Sequence, residues 1–183
     1  MQVSESAATS LNLELISYLC KLSNNGNESA LEQDDINTSA SIRGQMLESQ
    51  GVLVGLRITE RLLTREPLFS GSPTDVCRFI GNNLWKAMFS KRIDSIKMSD
   101  NVFHFRDKGH RWLEGFPKAD ELMTNNGESA AKSDSIGRKD VLKYIIGVLK
   151  GSTHLLYNGQ PVSIRANCTA DGDTHFVLSF NSG

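Results

Sequence analysis

An α+β domain is the fold class that the sequence predicts, and three observations predict it. Apolar residues recur at helical spacing through most of the first half of the chain. A short alternating segment follows, and the last third holds one long helical pattern before two alternating segments joined by a turn signal. Helices first and a hairpin last indicate a helical layer with an antiparallel sheet on one side.

Length and composition limit the class of protein. The chain has 183 residues, 39% of them hydrophobic and 22% charged, which is enough to bury a core. The net charge of -1 argues against non-specific nucleic-acid binding. No apolar stretch approaches the roughly 20 residues of a membrane span. Because the first residues lack a signal-peptide pattern, we expect a cytoplasmic protein.

The chain is expected to form one domain with two polar inserts. We expect residues 1–10 to be a flexible N-terminus and residues 11–183 to fold together. Residues at about 23–41 and 118–139 are rich in Ser, Asn, Gly and charge and poor in large apolar side chains. Both are therefore predicted to be loops or disordered inserts. The three cysteines are far apart and odd in number, which favours reduced thiols over disulfides or a metal site.

Two amphipathic helices are predicted in the first third of the chain. Thr9 and Ser10 are candidate caps for the first, whose apolar face consists of Leu11, Leu15, Leu19 and Leu22. The second runs from Ile42 to about Arg65, with apolar positions at Met46, Leu53, Leu56 and Leu63. Gly51 and Gly55 leave a smooth patch on it, where another helix can approach closely.

A third helix is predicted to begin at Ser72, which is followed by Pro73 and Asp75. Ser is a good cap, Pro suits the first helical position, and Asp favours the positive end of the helix. Its predicted apolar stripe is Val76, Phe79, Ile80, Leu84, Ala87 and Met88.

Alternation predicts three strands and places the fourth helix between them. In the segment from Asn101 to Asp107, Phe103 and Phe105 share one face. The fourth helix runs from Val141 to about Tyr157, and its apolar side is Val141, Tyr144, Ile145, Val148, Leu149, Leu155 and Leu156. Asn158 and Gly159 stop it. The final hairpin pairs Val162, Ile164, Ala166 and Cys168 with Phe176, Leu178 and Phe180 across the turn at Asp171 and Gly172.

No catalytic, cofactor-binding or metal-binding constellation is evident. None of the four histidines has the spacing of a metalloprotease motif. The segment from Gly147 to Thr153 superficially suggests a phosphate loop, but its lysine precedes the second glycine and the pattern is helical. We interpret Gly147 and Gly151 as a small-residue groove on a packed helix.

Surface features favour an interaction protein over an enzyme. Arg57, Arg61 and Arg65 form a basic stripe on the second helix, which is either a solvated face or a contact for an acidic partner or anionic lipid headgroups. The first helix is too short to be stable alone, so its leucine face must dock on its own domain or on another subunit. Together with both glycine-spaced helices, the chain offers more apolar helix surface than catalytic apparatus.

Several segments resemble the small subunits of the TRAPP tethering complex, most closely the subunit-six branch. They are Gly51 to Leu62 (GVLVGLRITERL), Asp75-Val76 with Phe79-Ile80, Leu84 to Lys91 (LWKAMFSK), Ile93 to Ile96 (IDSI) and Gly147 to Gly151 (GVLKG). The resemblance covers roughly two thirds of the chain in the family's order. Subunit-five membership is an alternative, because that branch shares the tryptophan-containing helix pattern.

The resemblance implies a Bet-three-like fold, with helices on a twisted antiparallel sheet, and a protein that heterodimerises with another small TRAPP subunit. Family members build a cytosolic complex, peripheral at endoplasmic reticulum and Golgi membranes, that tethers vesicles and catalyses nucleotide exchange on a Rab GTPase. A subunit of this type is a non-catalytic scaffold. Its implied partner interface here is Leu11, Leu15, Leu19, Leu22, Met46 and Leu53.

The sequence departs from the family at two places. The subunit-three branch carries an acylated cysteine before the third helix, whereas residues 65–75 here contain none, so lipid attachment there is not supported. The second insert is longer than the family pattern.

An alternative to the scaffold is an apolar small-molecule or lipid sensor, with a pocket lined by Trp85, Phe103, Phe105 and Phe176.

Overall fold

The computed structural model describes residues 14–22, 33–66, 69–114, 137–169 and 172–180. The helices and strands in these ranges are α1 (residues 14–22), α2 (Gln33–Leu63), α3 (Pro73–Phe79), α4 (Trp85–Phe89), β1 (Ser95–Ser99), β2 (Val102–Asp107), α5 (Arg138–Leu156), β3 (Val162–Cys168) and β4 (Thr174–Phe180). A π-helical turn, Ile80–Leu84, joins α3 to α4, and a single 3-10 turn, Arg111–Leu113, follows β2. Of the predicted N-terminus and inserts, residues 1–10, 23–32 and 118–136 lie outside these ranges.

The sheet is antiparallel throughout, with strand order β1-β2-β4-β3. Phe103 and Phe105 of β2 are buried whereas His104 between them is exposed, as the alternation predicts. Trp85 of α4 contacts Phe176 of β4, with ring centroids 5.2 Å apart. Helices and sheet therefore share one core, and the predicted α+β class is confirmed.

The pair formed by α2 and α5 is built on glycine. A Cβ atom on Gly55 would lie 2.1 Å from the carbonyl oxygen of Val148, and one on Gly147 would lie 2.1 Å from that of Glu48. Gly51 and Gly151 complete the same seam. Because any side chain would collide with the facing backbone, only glycine permits this approach.

The prediction that these glycines leave smooth patches for helix packing is confirmed, but the patches lie against each other. Both helices repeat glycine every four residues, so the two surfaces are complementary. The expectation that both glycine-spaced helices offer surface to another protein is therefore wrong. Glu48 of α2 also forms an ion pair with Lys150 of α5 and lies 3.9 Å from the Lys143 Nζ.

The third predicted helix begins as expected but changes phase. Ser72 caps α3, because its hydroxyl accepts a hydrogen bond of 3.2 Å from the backbone N–H of Asp75. The predicted stripe is wrong at Ala87, which is exposed, while Trp85 and Phe89 are buried. The π-helical turn has more residues than an α-helical turn, so it shifts the buried face by about one position.

Other boundaries differ from the prediction. Residues 33–41 belong to α2 rather than to a loop. Helix α2 begins at Gln33. α5 begins at Arg138, and β1 was not predicted because most of its side chains are exposed. All three cysteines are free, but Cys168 is only half-buried.

Candidate partner-binding surface

Helix α1 docks on the rest of its own domain. Ile16, Leu19 and Cys20 are buried in the common core. Burial raises the pKa of the Cys20 thiol to about 11; the nearby Asp140 carboxylate adds to this rise and Arg43 opposes it. The thiol is thus close to the start of α5 and to the first half of α2.

A buried ion pair holds this junction together. The Nε of Arg43 lies 3.3 Å from Asp140 Oδ1, and both side chains are largely buried. The other oxygen of Asp140 accepts a 3.0 Å hydrogen bond from the backbone N–H of Gly137, just before α5. The ion pair therefore ties α2 to the start of α5, near the Cys20 thiol of α1.

The other side of α1 is apolar and exposed. Leu15 is 37%, Tyr18 58% and Leu22 45% exposed. Of the predicted leucine face, Leu19 is only 7% exposed and packs in the core, so within residues 14–22 Leu15 and Leu22 are the leucines that stay open to a partner. Leu11 lies outside the described residues. The sequence contained a signal for Tyr18, since it is three residues after Leu15 and four before Leu22.

The outer side of α2 also carries exposed apolar side chains. Met46 is half-buried, and Leu53 is more than half exposed. Leu53 and Leu56 line a shallow groove with Leu155 of α5, and Arg57 and Glu60 complete its wall. Leu155 was predicted on the packed side of the fourth helix; this is wrong, because it faces the groove instead.

The basic stripe lies on the same helix as the groove. Arg57, Arg61 and Arg65 are exposed. Arg57 lies 3.4 Å from Glu60, but both side chains are mostly in solvent, where such a pair contributes at most about 1 kcal/mol. The structure therefore brings together Leu53 and Arg57, one helical turn apart, at the border of the apolar and basic surfaces.

The aromatic residues predicted to line a pocket are part of the packed core. Trp85, Phe105 and Phe176 have no solvent exposure, and Phe103 is 3% exposed. Phe103 also contacts Phe180, with ring centroids 5.4 Å apart. The sheet-to-helix space that was expected to hold a ligand is filled by these rings.

A buried polar cluster joins α4 to β2. Trp85 donates a hydrogen bond of 3.0 Å to Asp107, and Lys91 forms an ion pair with the same carboxylate. His110 Nε2 lies 3.8 Å from Asp107 Oδ2, and burial lowers the pKa of His110 to about 3, helped by the charge of Lys91. Because Asp107 and His110 are inaccessible to solvent, the cluster holds the fold together rather than meeting a substrate.

The described residues contain neither a metal-binding cluster nor a membrane-spanning helix. Across residues 14–22, 33–66, 69–114, 137–169 and 172–180, no three His, Cys, Asp or Glu side chains are grouped to hold a metal ion. In the same ranges, none of the helices has the length and apolar character to cross a bilayer. The exposed apolar surface of α1 and α2 is thus the main functional candidate.

Comparison with known protein families shows the family of this chain. A family model described as transport protein particle (TRAPP) component matches residues 8–181. An uncharacterised protein of Schizosaccharomyces pombe is 40% identical over 70 residues, which are 38% of this chain and 27% of that protein. The alignment thus spans about a quarter of that relative's length.

The fold is similar to that of a solved relative. The crystal structure of a trafficking protein particle complex subunit 3 from Naegleria fowleri, covalently bound to palmitic acid, superposes with a TM-score of 0.62 at 13% sequence identity. The superposition covers 95% of both chains. With the family model matching nearly the whole sequence, this chain belongs to the TRAPP component family.

Proposed function

We propose that this protein is a non-catalytic scaffold subunit of a TRAPP complex, of the subunit-six branch, that heterodimerises with another small TRAPP subunit. The single observation that supports this most is the exposed apolar surface on α1 and α2. Leu15, Tyr18 and Leu22 share one side of a helix whose opposite side is already docked. Exposed apolar side chains at helical spacing are the usual anchors of helix-mediated interfaces.

In the role we propose, this chain itself catalyses no reaction. The complex tethers vesicles in endoplasmic reticulum to Golgi and intra-Golgi transport and promotes nucleotide exchange on a Rab GTPase, and this chain supplies part of its framework. It resides in the cytoplasm and reaches Golgi and endoplasmic reticulum membranes through the complex. Residues 65–75 contain no cysteine, which supports recruitment by protein contacts rather than by an acyl chain in that loop.

Coexpression with each of the other small TRAPP subunits tests the proposal. We expect a stable heterodimer with one of them, and we expect Leu15→Asp or Leu53→Asp to weaken it by about 2 kcal/mol or more, roughly thirtyfold in Kd. Both leucines are exposed, so the variants should fold. Ser163→Asp is the control, since it places the same charge on an exposed residue of β3, outside the helical surface.

The outcome separates the alternatives. A wild-type chain that stays monomeric and ignores every other small subunit contradicts the scaffold role. If both leucine variants still form the heterodimer with wild-type affinity, the interface lies on another surface. Loss of binding in all three variants, including Ser163→Asp, indicates general unfolding, which circular dichroism detects directly.

We also propose that the basic stripe contributes to peripheral membrane contact of the assembled complex. Arg61 and Arg65 are exposed and belong to no ion pair among the described residues. Cosedimentation of the heterodimer with anionic vesicles should fall when Arg61 is changed to Glu and should decrease at high salt. Wild-type cosedimentation of Arg61→Glu would show that the stripe is a solvated face.

A further inference from the structure

Strand β1 has an open edge. It lies at the end of the sheet, and Asp100 and Asn101, with φ of 44° and 60°, make the two-residue turn that joins it to β2. Residues flanking such a turn bond to each other, so alternate residues of β1 direct their backbone groups away from β2. The N–H and C=O groups of Ile96 and Met98 therefore point outward, and no hydrogen bond within the described residues uses them.

The side chains of Ile96 and Met98 form an apolar ledge beside this edge. Ile96 and Met98 pair with Phe105 and Phe103, so all four side chains are on the side of the sheet that faces the helices. The two phenylalanines are buried, but Ile96 is 38% and Met98 64% exposed. The helical layer thus covers β2 and leaves β1 only partly covered.

The opposite edge of the sheet differs. In β3 the side chains facing the helices, such as Ile164 and Ala166, are buried or half-buried. Its exposed residues are polar: Ser163, Arg165 and Asn167. Of the two edges, β1 is the one that combines outward backbone groups with exposed apolar side chains.

The charge of Lys97 indicates which kind of segment can pair with this edge. Lys97 is exposed on the outer face of β1, between Ser95 and Ser99 and opposite His104, and it has no ion pair within the described residues. The strand SIKMS is nearly symmetrical about Lys97. Antiparallel pairing of all five residues with a second copy would set Lys97 against itself, and like charges directly opposite each other are destabilising.

We propose that β1 is a docking site for an extended acidic segment of a partner protein, which adds antiparallel to β1 as an extra strand. Its backbone bonds to Ile96 and Met98, its apolar side chains extend the ledge, and an Asp or Glu lies opposite Lys97. In an antiparallel addition this position is a non-hydrogen-bonded pair, where facing side chains are closest. The inference goes beyond the scaffold role, because it concerns the sheet rather than the helices.

The test uses the full chain, alone or in its heterodimer, and a short blocked peptide that alternates Val and Thr with Glu at one central Thr position. A second peptide with Lys at that position is the matched probe. NMR hydrogen exchange of the Ile96 and Met98 amides reports strand addition, and titration gives the relative affinities. We expect the Glu peptide to slow both amides and to bind roughly twofold to tenfold more tightly than the Lys peptide.

Charge reversal makes the expectation specific. Lys97→Glu should reverse the order of the two peptides, whereas Arg165→Glu, the same change on the other edge strand, should leave it as in the wild type. The proposal is overturned if neither peptide slows the two amides, if Lys97→Glu keeps the original order, or if sedimentation shows the wild type pairing with itself through β1. None of these results bears on helix-mediated heterodimer formation, which Leu15→Asp and Leu53→Asp test separately.

Discussion

The indole Nε1 of Trp85 donates a hydrogen bond of 3.0 Å to Oδ2 of Asp107, a carboxylate with no solvent exposure. Burial raises the pKa of Asp107, while the ion pair with Lys91 and the Trp85 bond oppose this rise. Lys91 also lies 3.1 Å from Asp94, whose carboxylate accepts a bond from the backbone N–H of Lys108. The cluster therefore joins α4 and the segment after it to the end of β2.

Removing the central carboxylate should destabilise the protein strongly. We expect Asp107→Ala to lower the free energy of unfolding by about 3 kcal/mol, because it leaves Lys91 and the Trp85 N–H without their buried partner. For a domain of this size the melting temperature should fall by roughly 6–12 °C, measured by circular dichroism.

A surface ion pair provides the control for this variant. Asp173 receives hydrogen bonds from Arg106, whose side chain is about half exposed. Asp173→Ala should cost about 1 kcal/mol or less. Equal losses in the two variants would mean that the buried cluster contributes no more than an exposed pair.

His110 should make the protein less stable in acid. Its pKa is about 3 when folded and 6.5 ordinarily, because burial disfavours the charged ring. Between these values the unfolded chain binds the extra proton, so stability falls as the pH drops below 6.5, by at most about 1.4 kcal/mol per pH unit. Urea titrations at several pH values measure the slope.

Substitution identifies the source of this slope. His110→Gln removes the titrating ring and should flatten the decline between pH 6.5 and 4. His104→Gln, at an exposed position of β2, should keep the wild-type slope. Asp107 faces His110, and because its pKa is raised it acts in the opposite direction as the pH falls towards its ordinary value of 3.8.

The sequence predicted elements whose signals are local. Ser72 acts through its hydroxyl on a nearby backbone N–H, whereas Pro73, Asn158 and Gly159 act through their own backbone, and each bounds a helix where expected. Ala87 was placed wrongly because a π-helical turn leaves no mark in a pattern with fixed helical period. Strand β1 was missed because burial, which creates alternation, is largely absent there.

The candidate surface was harder to predict for a related reason. Periodicity shows that α1 has an apolar face, but Ile16, Cys20 and Tyr18 make that helix apolar on two sides. Which side faces the core is decided by packing in the common core against residues that are distant in sequence. For the same reason, periodicity did not predict that the glycines of α2 and α5 pack on each other.

The cap of α3 gives a local test of helix stability. Ser72→Ala removes the acceptor for the Asp75 N–H and should lower the free energy of unfolding by about 1 kcal/mol. Ser72→Asp keeps an acceptor at the same position and should recover most of the loss. A Ser72→Ala protein as stable as the wild type would show that the capping bond contributes nothing measurable.

Two glycines of α2 should respond in opposite directions to the same change. Gly55→Ala places a methyl group 2.1 Å from the Val148 backbone, so α2 and α5 must separate, at a cost of about 3 kcal/mol or more. At Gly44 the nearest atoms are 3.9 Å away on the flexible Lys143 side chain. Gly44→Ala should therefore stabilise the protein by about 0.5–1 kcal/mol, because alanine has the higher helix propensity. Denaturant unfolding of both variants measures the difference, and two stabilised proteins would mean that the helices do not touch at Gly55.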